Sequence, residues 1–394
     1  MSSAAESFSG APQDQQINPD LFRQGDPWRL VADLNELCNI QCGYCHIDAL
    51  WGPAAKNART LPPDVAGRVL EDGDRMQVFD ATLTGGEITT MRNFPEYLDK
   101  ISALTFTSVQ IITNGTRLTP ALASELKGAG VKRVSISIDG PESSNDAARG
   151  DGTWRRAWRG MENAVAAGLG VNVISVLGRH NIDDWDALSP MLKDAGVRSQ
   201  NLSLMCRLGR AEQAEEWPGV PPERVREVQQ KAARLKETLS DSSFALFLND
   251  GVLQTPGWSG EPTPLHAFQD RNPGIEAVVK VDGSVLRNRL YGKGRSIGNV
   301  NEQSFAQLWR ADQAQRAQLE GVVGEGNVGT LPSLYHHYEA GTGQQQAVPT
   351  TTPEAVPASD NKDLRVREEP WGTITFDPAT FSITSIVARS AARA

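Results

Sequence analysis

The chain has 394 residues, a formal net charge of -9 and 39% hydrophobic residues. This length favours one large domain with an appendage, and the negative charge without a basic run interleaved with aromatic residues argues against nucleic-acid binding. No apolar run is long enough to span a bilayer and the N-terminus lacks a signal-peptide pattern, so we expect a cytoplasmic protein without membrane contacts.

Residues 1–26 are rich in Ser, Ala, Gln, Asp and Gly and are predicted to be disordered. Residues 27–211 alternate short β-branched runs with amphipathic stretches, which is typical of βα units on a parallel sheet. Six units are predicted, so the fold class is α/β, with a partial (β/α)6 TIM-like barrel. The predicted strands are Arg29–Asn35, Val78–Thr84, Ser108–Thr113, Arg133–Ile138, Gly170–Val176 and Asn201–Cys206. The predicted helices between them include Pro62–Gln77, Thr119–Ala129, Thr153–Ala167 and Trp185–Asp194.

A small α+β extension is predicted over residues 212–340. Its expected elements are a helix Pro222–Leu239, a β-hairpin Ile275–Arg287 with its turn at Val281–Gly283, and a helix from Glu302 to about Leu319. Residues 341–361 are Gln, Thr, Pro, Ala and Ser-rich and are predicted to be a linker. The tail, residues 362–394, alternates apolar and polar residues from Gly372 to Ile386, which predicts a short hairpin.

Three of the four cysteines, Cys38, Cys42 and Cys45, follow the first predicted strand, where a parallel barrel opens onto its functional face. Three soft sulfur ligands on one loop can hold three corners of an iron–sulfur cube and leave the fourth iron without a protein ligand. The alternatives are three buried thiols or a structural zinc site with His46 as fourth ligand. No second CxxC motif is present to close a zinc site.

The CxxxCxxC spacing, with Tyr44 before the last cysteine, resembles the defining motif of radical S-adenosylmethionine (SAM) enzymes. The resemblance implies one 4Fe-4S cluster whose open iron binds the methionine part of SAM, with Tyr44 among the cofactor-binding residues. It implies reductive cleavage of SAM to a 5'-deoxyadenosyl radical that removes a hydrogen atom from substrate. It also implies an electron donor such as flavodoxin or ferredoxin.

Gly85, Gly86 and Glu87 follow the second predicted strand, and two consecutive glycines let backbone approach a ligand without an intervening Cβ. The three residues resemble the GGE motif of the family, which implies that the Glu87 carboxylate receives the ammonium group of SAM. In isolation the same tripeptide would be an ordinary turn.

Further polar residues collect at the ends of the later strands. The resemblance implies that Ser137 and Asp139 face the ribose hydroxyls of SAM and that Asn114 faces the neighbouring space. Arg149 matches an arginine that pairs the carboxylate of SAM, for which a forked guanidinium is suited, and is otherwise a solvated loop charge. Val176 is expected either against the adenine or in the core.

Residues 279–286, 297–300 and 304–309 resemble the SPASM (Twitch-like) extension of peptide-modifying members, but Asn288 lies near the place of an expected cysteine and none follows Cys206. Auxiliary clusters are therefore not expected. We expect modification of a ribosomally made peptide, held over the barrel mouth by the extension and by the segment around Trp371. A sugar or aminoglycoside epimerase or dehydrogenase, and a non-catalytic cluster-binding scaffold, are the alternatives.

Cys206 is the one cysteine outside the motif, at the end of the sixth predicted strand. A lone cysteine is most often a small buried apolar residue. At this position it could also return a hydrogen atom to a substrate radical, as a catalytic thiol in an epimerisation. Epimerisation is redox neutral, which agrees with the expected lack of auxiliary clusters.

Overall fold

The computed structural model describes residues 25–205, 208–215, 218–249, 276–287, 296–323, 364–369, 372–377 and 382–388. Cys206, Asn288, Trp371, the N-terminal residues up to 24 and the predicted linker at 341–361 lie outside the described residues. Within the described part, no helix is long and apolar enough to cross a bilayer.

The main sheet is a partial barrel and confirms the predicted fold class. In the described residues it has ten strands in the order β10-β9-β8-β1-β2-β3-β4-β5-β6-β7. The eight neighbouring strands β8 and β1 to β7 are all parallel. The strands are β1 Arg29–Asp33, β2 Asp80–Thr84, β3 Ser108–Thr113, β4 Val131–Ser137, β5 Gly170–Leu177, β6 Ser199–Leu204, β7 Ala245–Asn249, β8 Glu276–Val279, β9 Ser284–Arg287 and β10 Ser296–Asn299.

Helices follow the strands and bury apolar faces spaced three and four residues apart. In α1 this face includes Val65, Val69 and Leu70. The helix α3, Pro120–Gly128, begins one residue after the predicted Thr119, because the Thr119 hydroxyl caps the helix by accepting the Leu122 N–H and a proline occupies the first turn. The helices are α1 Pro63–Arg75, α2 Phe94–Ser102, α3 Pro120–Gly128, α4 Glu142–Arg149, α5 Thr153–Ala166, α6 Leu188–Asp194, α7 Arg210–Gln213, α8 Pro222–Leu239 and α9 Phe305–Val323.

The extension continues the barrel sheet instead of standing apart from it. The strand β8 pairs in parallel with β1, from Arg29 opposite Glu276 to Ala32 opposite Val279, and β9 and β10 follow antiparallel. Parallel strands end at the same edge, here called the C-terminal rim. The turn between β8 and β9 therefore lies at the rim where β1 leads into the cysteine loop. Three helices and two strands were not predicted from the sequence, namely α2, α4, α7, β7 and β10.

The C-terminal tail forms a three-stranded antiparallel sheet, β11 Arg365–Glu369, β12 Gly372–Asp377 and β13 Ser382–Ala388, one strand more than the predicted hairpin. Phe376 stacks on Phe79 at a centroid distance of 5.3 Å, and the Arg367 guanidinium lies 4.9 Å over the same ring. Arg367 also donates to the Pro27 and Gln77 carbonyl oxygens.

These partners of the tail immediately precede β1 and β2, at the opposite edge of the sheet, here called the N-terminal rim. The expectation that the tail lies over the barrel mouth is therefore wrong for its described strands. The physical reason is that Phe79 offers an apolar ring and Pro27 and Gln77 offer carbonyl oxygens, which match the aromatic ring and guanidinium of the tail.

Candidate functional site

The cysteine loop, residues 38–45, is closed at its base by backbone hydrogen bonds. Cys38 N donates to Leu50 O at 2.9 Å, and Leu50 N donates to Glu36 O at 2.8 Å. Arg210 contacts the far side of the loop: its Nη1 donates to Cys42 O at 2.9 Å, and its Nε pairs with the Asp48 carboxylate at 3.0 Å. The loop is therefore held in place by protein groups on both sides.

Each of the three sulfur atoms has at least one hydrogen-bond donor. Ala49 N lies 3.4 Å from Cys45 Sγ, Asn114 Nδ2 lies 3.8 Å from Cys38 Sγ, and Arg149 Nη1 lies 3.9 Å from Cys42 Sγ. Donors at this place stabilise a thiolate and tune the reduction potential of an iron–sulfur cluster bound to it.

Burial raises the pKa of the Cys38 thiol to about 11 and also raises that of Cys42. Iron ligation would deprotonate these thiols, since metal ligands bind as thiolates. Within the described residues, no three His, Cys, Asp or Glu side chains converge on a single metal ion. A cubane cluster instead takes each cysteine at a different iron, and the half-buried, donor-supplied sulfurs fit that group.

The paired glycines lie directly beneath the start of the cysteine loop. A Cβ on Gly85, whose φ is +154°, would stand 2.4 Å from Asn35 Oδ1, and one on Gly86 would stand 2.1 Å from Leu37 O. Gly86 N and Glu87 N donate to the Asn35 and Leu37 carbonyl oxygens at 2.8 and 2.6 Å. The two glycines are therefore needed because the backbone that leads into the cysteine loop passes directly against them.

Glu87 is buried and its carboxylate is surrounded by donors. It accepts hydrogen bonds from Thr89 N at 3.1 Å, Thr89 Oγ1 at 2.6 Å, Thr113 Oγ1 at 2.7 Å and Asn114 N at 2.6 Å. Burial raises the pKa of Glu87, and these hydrogen bonds partly oppose the rise. The carboxylate therefore joins the ends of β2 and β3, and its contact with the ammonium group of SAM stays a prediction.

Asp139 is the centre of a buried polar cluster. The Arg149 guanidinium donates to its carboxylate through Nε at 2.8 Å and Nη2 at 2.9 Å, and Val176 N donates to it at 3.0 Å. The Tyr44 hydroxyl also donates to it, and His180, which stacks on Tyr44, has Nε2 at 3.5 Å.

Charge pairing dominates the electrostatics of this cluster. Burial alone would raise the pKa of Asp139, but the Arg149 guanidinium, with a smaller contribution from the nearby His180 imidazole, outweighs it and holds that pKa well below its usual range. Both charged groups already have a protein partner, as buried charges require. The ribose role of Asp139 and the SAM-carboxylate role of Arg149 therefore stay predictions, and their mutual pairing is a feature that the sequence analysis missed.

The remaining predicted residues lie at the same rim. Ser137 ends β4, Val176 is next to last in β5, and both are half-buried. Asn114 Nδ2 also donates to Asn39 Oδ1 at 2.8 Å, which ties the end of β3 to the cysteine loop. Cys206 lies outside the described residues, so its proposed catalytic role stays a prediction.

Arg210 and His180 were not predicted. A signal for Arg210 was present in the preceding Gly209, which has φ +56° and would place a Cβ 2.2 Å from Cys45 O. A glycine shortly after β6 allows a close backbone contact of this kind. His180 gave no comparable signal, because its contacts are made across different βα units.

Residues 34–189 match the sequence family described as the Radical SAM superfamily. They form a radical SAM domain. Over 173 residues the chain is 33% identical to the mycofactocin maturase MftC of Mycolicibacterium smegmatis, covering 43% of each protein. It is 24% identical over 332 residues to the AdoMet-dependent heme synthase of Methanosarcina barkeri, covering 75% of this chain and 87% of that one. The match to the mycofactocin maturase thus spans less than half of its length.

Two of the solved structures that share the fold contain a bound peptide. Streptococcus suis SuiB bound to precursor peptide SuiA aligns with a TM-score of 0.57 at 13% identity, over 72% of this chain and 65% of that one. The structure of anSMEcpe with bound AdoMet and the Cp18Cys peptide aligns with a TM-score of 0.53 at 16% identity, over 73% and 81%. These structures place the radical SAM domain of this chain among partial barrels.

Proposed function

We propose that this chain reductively cleaves SAM and uses the resulting radical to modify a ribosomally made peptide. The observation that carries the proposal is the set of three rim cysteines, each supplied with a hydrogen-bond donor, in a radical SAM domain. The family uses one 4Fe-4S cluster and SAM. When bound, they supply an electron and a 5'-deoxyadenosyl group that removes a hydrogen atom from substrate.

The residues of the chain orient these groups. The cluster would be held by Cys38, Cys42 and Cys45. Arg210 stabilises their loop by donating a hydrogen bond to the Cys42 carbonyl oxygen. The Glu87 carboxylate fixes the ends of β2 and β3, and the Asp139–Arg149 pair fixes the ends of β4 and α4. Such cross-links between strand ends keep the site rigid, which positions reacting groups without reorganisation.

The peptide substrate is supported by the named relatives. One is a mycofactocin maturase, and SuiB was solved with a precursor peptide. The β8–β9 hairpin of the extension reaches the same rim as the cysteine loop, where it could contact a bound chain. An amino sugar or other small molecule is the competing substrate class, and a flavodoxin or ferredoxin is the expected electron donor.

The first experiment is anaerobic reconstitution of the full chain with iron and sulfide, reduction with dithionite, and incubation with SAM. We expect 5'-deoxyadenosine in the product mixture, measured by mass spectrometry. Its absence from cluster-loaded protein would favour the scaffold alternative. Addition of short peptides encoded beside the gene should then yield a peptide of altered mass or altered stereochemistry.

Epimerisation with Cys206 as hydrogen donor is the specific outcome that we propose. Transfer of the hydrogen atom leaves a thiyl radical on Cys206, which one electron from the flavodoxin or ferredoxin donor and one proton return to the thiol. The Cys206→Ala variant should still produce 5'-deoxyadenosine but lose the epimerised product, because no thiol returns the hydrogen atom. Reaction of the native enzyme in deuterated water should place one deuterium in the product. Full product yield from Cys206→Ala would show that Cys206 is not the hydrogen donor and would favour the alternative of a small apolar residue.

A further inference from the structure

His180 is a largely buried titratable side chain at the C-terminal rim. It lies three residues after the end of β5, and 12% of its side chain is exposed. The side chain of the next residue, Asn181, fixes the turn, because its Oδ1 accepts a hydrogen bond from Gly178 N at 2.9 Å. Its Nδ2 donates to the carbonyl oxygens of Asp139 and Val176 at 2.8 and 2.9 Å. The turn therefore holds His180 against the ends of β4 and β5.

The imidazole of His180 stacks on the ring of Tyr44 in the cysteine loop. The two ring centroids are 5.6 Å apart and the ring planes differ by 19°. The guanidinium carbon of Arg149 lies 5.5 Å from the same Tyr44 centroid, and the Tyr44 hydroxyl donates to the Asp139 carboxylate. Residues from three segments, α4, the end of β4 and the loop after β5, thus fix one ring. Side chains held by several contacts keep a single rotamer, which a precise binding site needs.

The stacked ring is the contact that His180 alone supplies. Its Nε2 atom lies 3.5 Å from Asp139 Oδ2, longer than an ordinary N–H···O hydrogen bond, and has no hydrogen-bond partner in the part of the chain that the structure describes. Asp139 already has its counter-charge in Arg149, at 2.8 Å. Among the described residues, no other aromatic ring stacks on Tyr44. Removal of the imidazole should therefore free the Tyr44 ring and leave the buried ion pair intact.

The residues around His180 belong to one half of the predicted SAM site. Asp139 and Val176 are predicted to face the ribose and the adenine, and Val176 N donates to the Asp139 carboxylate at 3.0 Å. Glu87, which is predicted to receive the ammonium group of SAM, lies instead at the ends of β2 and β3. A change at His180 should therefore affect the adenosine half of the cofactor, through Tyr44, and not the methionine half.

We propose that His180 is a positioning residue for the adenosine half of SAM. Its ring holds the Tyr44 ring in place, and Tyr44 together with the Asp139 carboxylate forms the wall against which the adenosine binds. This inference deepens the proposed function and rests on it for the presence of the cluster and of SAM.

The test uses the full-length, cluster-loaded protein without reductant, so that no SAM is cleaved. The probes are SAM, 5'-deoxyadenosine and methionine, with binding measured by isothermal titration calorimetry per loaded cluster. In His180→Ala we expect SAM and 5'-deoxyadenosine to bind about two- to tenfold more weakly, the range for one aromatic pair. Methionine should bind as it does to the wild type. Wild-type affinity of His180→Ala for SAM, or an equal loss for all three probes, would overturn the proposal.

Two further variants separate the ring of His180 from its polar atoms. His180→Phe keeps a stacking ring, so its affinity for SAM should stay within about twofold of the wild type. His180→Gln places polar atoms there without a ring, so it should bind SAM as weakly as His180→Ala does. It also decides the question if His180→Ala loses the cluster. Weak SAM binding by His180→Phe together with wild-type binding by His180→Gln would contradict the proposal.

The matched control is Trp158→Ala, which removes one ring of a stacked pair on α5. Trp154 and Trp158 stack at a centroid distance of 5.0 Å with the same interplanar angle of 19°. A general loss of packing would affect both alanine variants, whereas the affinity for SAM should fall only in His180→Ala. A similar loss of SAM affinity in Trp158→Ala would contradict a positioning role of His180.

The binding assay is independent of SAM cleavage. SAM binding that depends on His180, without 5'-deoxyadenosine formation after reduction, would refute the proposed function and leave the role of His180 standing. Formation of 5'-deoxyadenosine with unchanged SAM binding in the variants would refute the role of His180 alone. A wild type that binds no SAM would refute both.

Discussion

At the C-terminal rim of the barrel, buried charges are paired side chain to side chain, as in Asp139 with Arg149, and sulfur atoms receive polar donors. At the N-terminal rim, Phe376 packs on Phe79 and Arg367 covers that ring while binding backbone carbonyls. The same strands thus carry a polar, ligand-facing end and an apolar, tail-covered end. Parallel barrels carry their active sites at the C-terminal end of the strands, so this difference agrees with the site proposed at the first rim.

The largest effect should come from replacing Cys38, Cys42 and Cys45 together by alanine. We expect iron to fall from about four atoms per chain, the content of one 4Fe-4S cluster, to none. The visible absorbance and all 5'-deoxyadenosine formation should disappear with it. Seven or more irons in the native protein, or absorbance retained in the variant, would show that other residues hold a cluster.

Gly86→Ala should remove most of the cluster, because the new Cβ would stand 2.1 Å from the Leu37 backbone oxygen and displace the cysteine loop. The matched control is Gly43→Ala, on the loop itself, where a Cβ meets nothing within 4 Å. Iron content and circular dichroism of both variants check this prediction. Equal iron content in the two variants would mean that the loop tolerates the displacement.

Asp139→Asn should destabilise the protein by about 3–5 kcal/mol, because it leaves the buried Arg149 guanidinium without a counter-charge. Urea unfolding measures this, with Glu142→Gln, which removes an exposed pair with Arg155, as the near-neutral control. The pKa of folded Asp139 is depressed, so the pair contributes fully above the unfolded pKa of about 3.9. The difference between wild type and variant should therefore be the same at pH 6 and pH 8.

Phe376→Ala should cost roughly 3 kcal/mol, at the lower end for truncation of a buried phenylalanine. The cluster content and 5'-deoxyadenosine yield per folded molecule should stay unchanged, since Phe376 lies at the opposite rim. Val366→Ala in the same small sheet, 49% exposed, should have almost no effect. Loss of the cluster at an unchanged unfolding temperature would contradict the separation of the two rims.

The sequence predicted best what is encoded locally. The strand Ser108–Thr113 and the helix Pro222–Leu239 were predicted with their observed bounds, because β-branched alternation and amphipathic spacing are properties of adjacent residues. Cys38 and Glu87 were predicted to lie on loops because each comes directly after a predicted strand. The Asp139–Arg149 pair, the contact of β8 with β1 and the site of the tail could not be predicted, because they depend on which distant segments pack together.

The pairing of β8 with β1 has a consequence for dissecting the molecule. The strand β1 would otherwise be the edge of the partial barrel, with unpaired N–H and C=O groups beside the strand that leads into the cysteine loop. Exposed edge strands recruit other chains and aggregate. A fragment cut after residue 211 would expose this edge and that of β6, which pairs with β7. The extension therefore also prevents aggregation through these strand edges. The smallest soluble catalytic fragment should include residues 245–287.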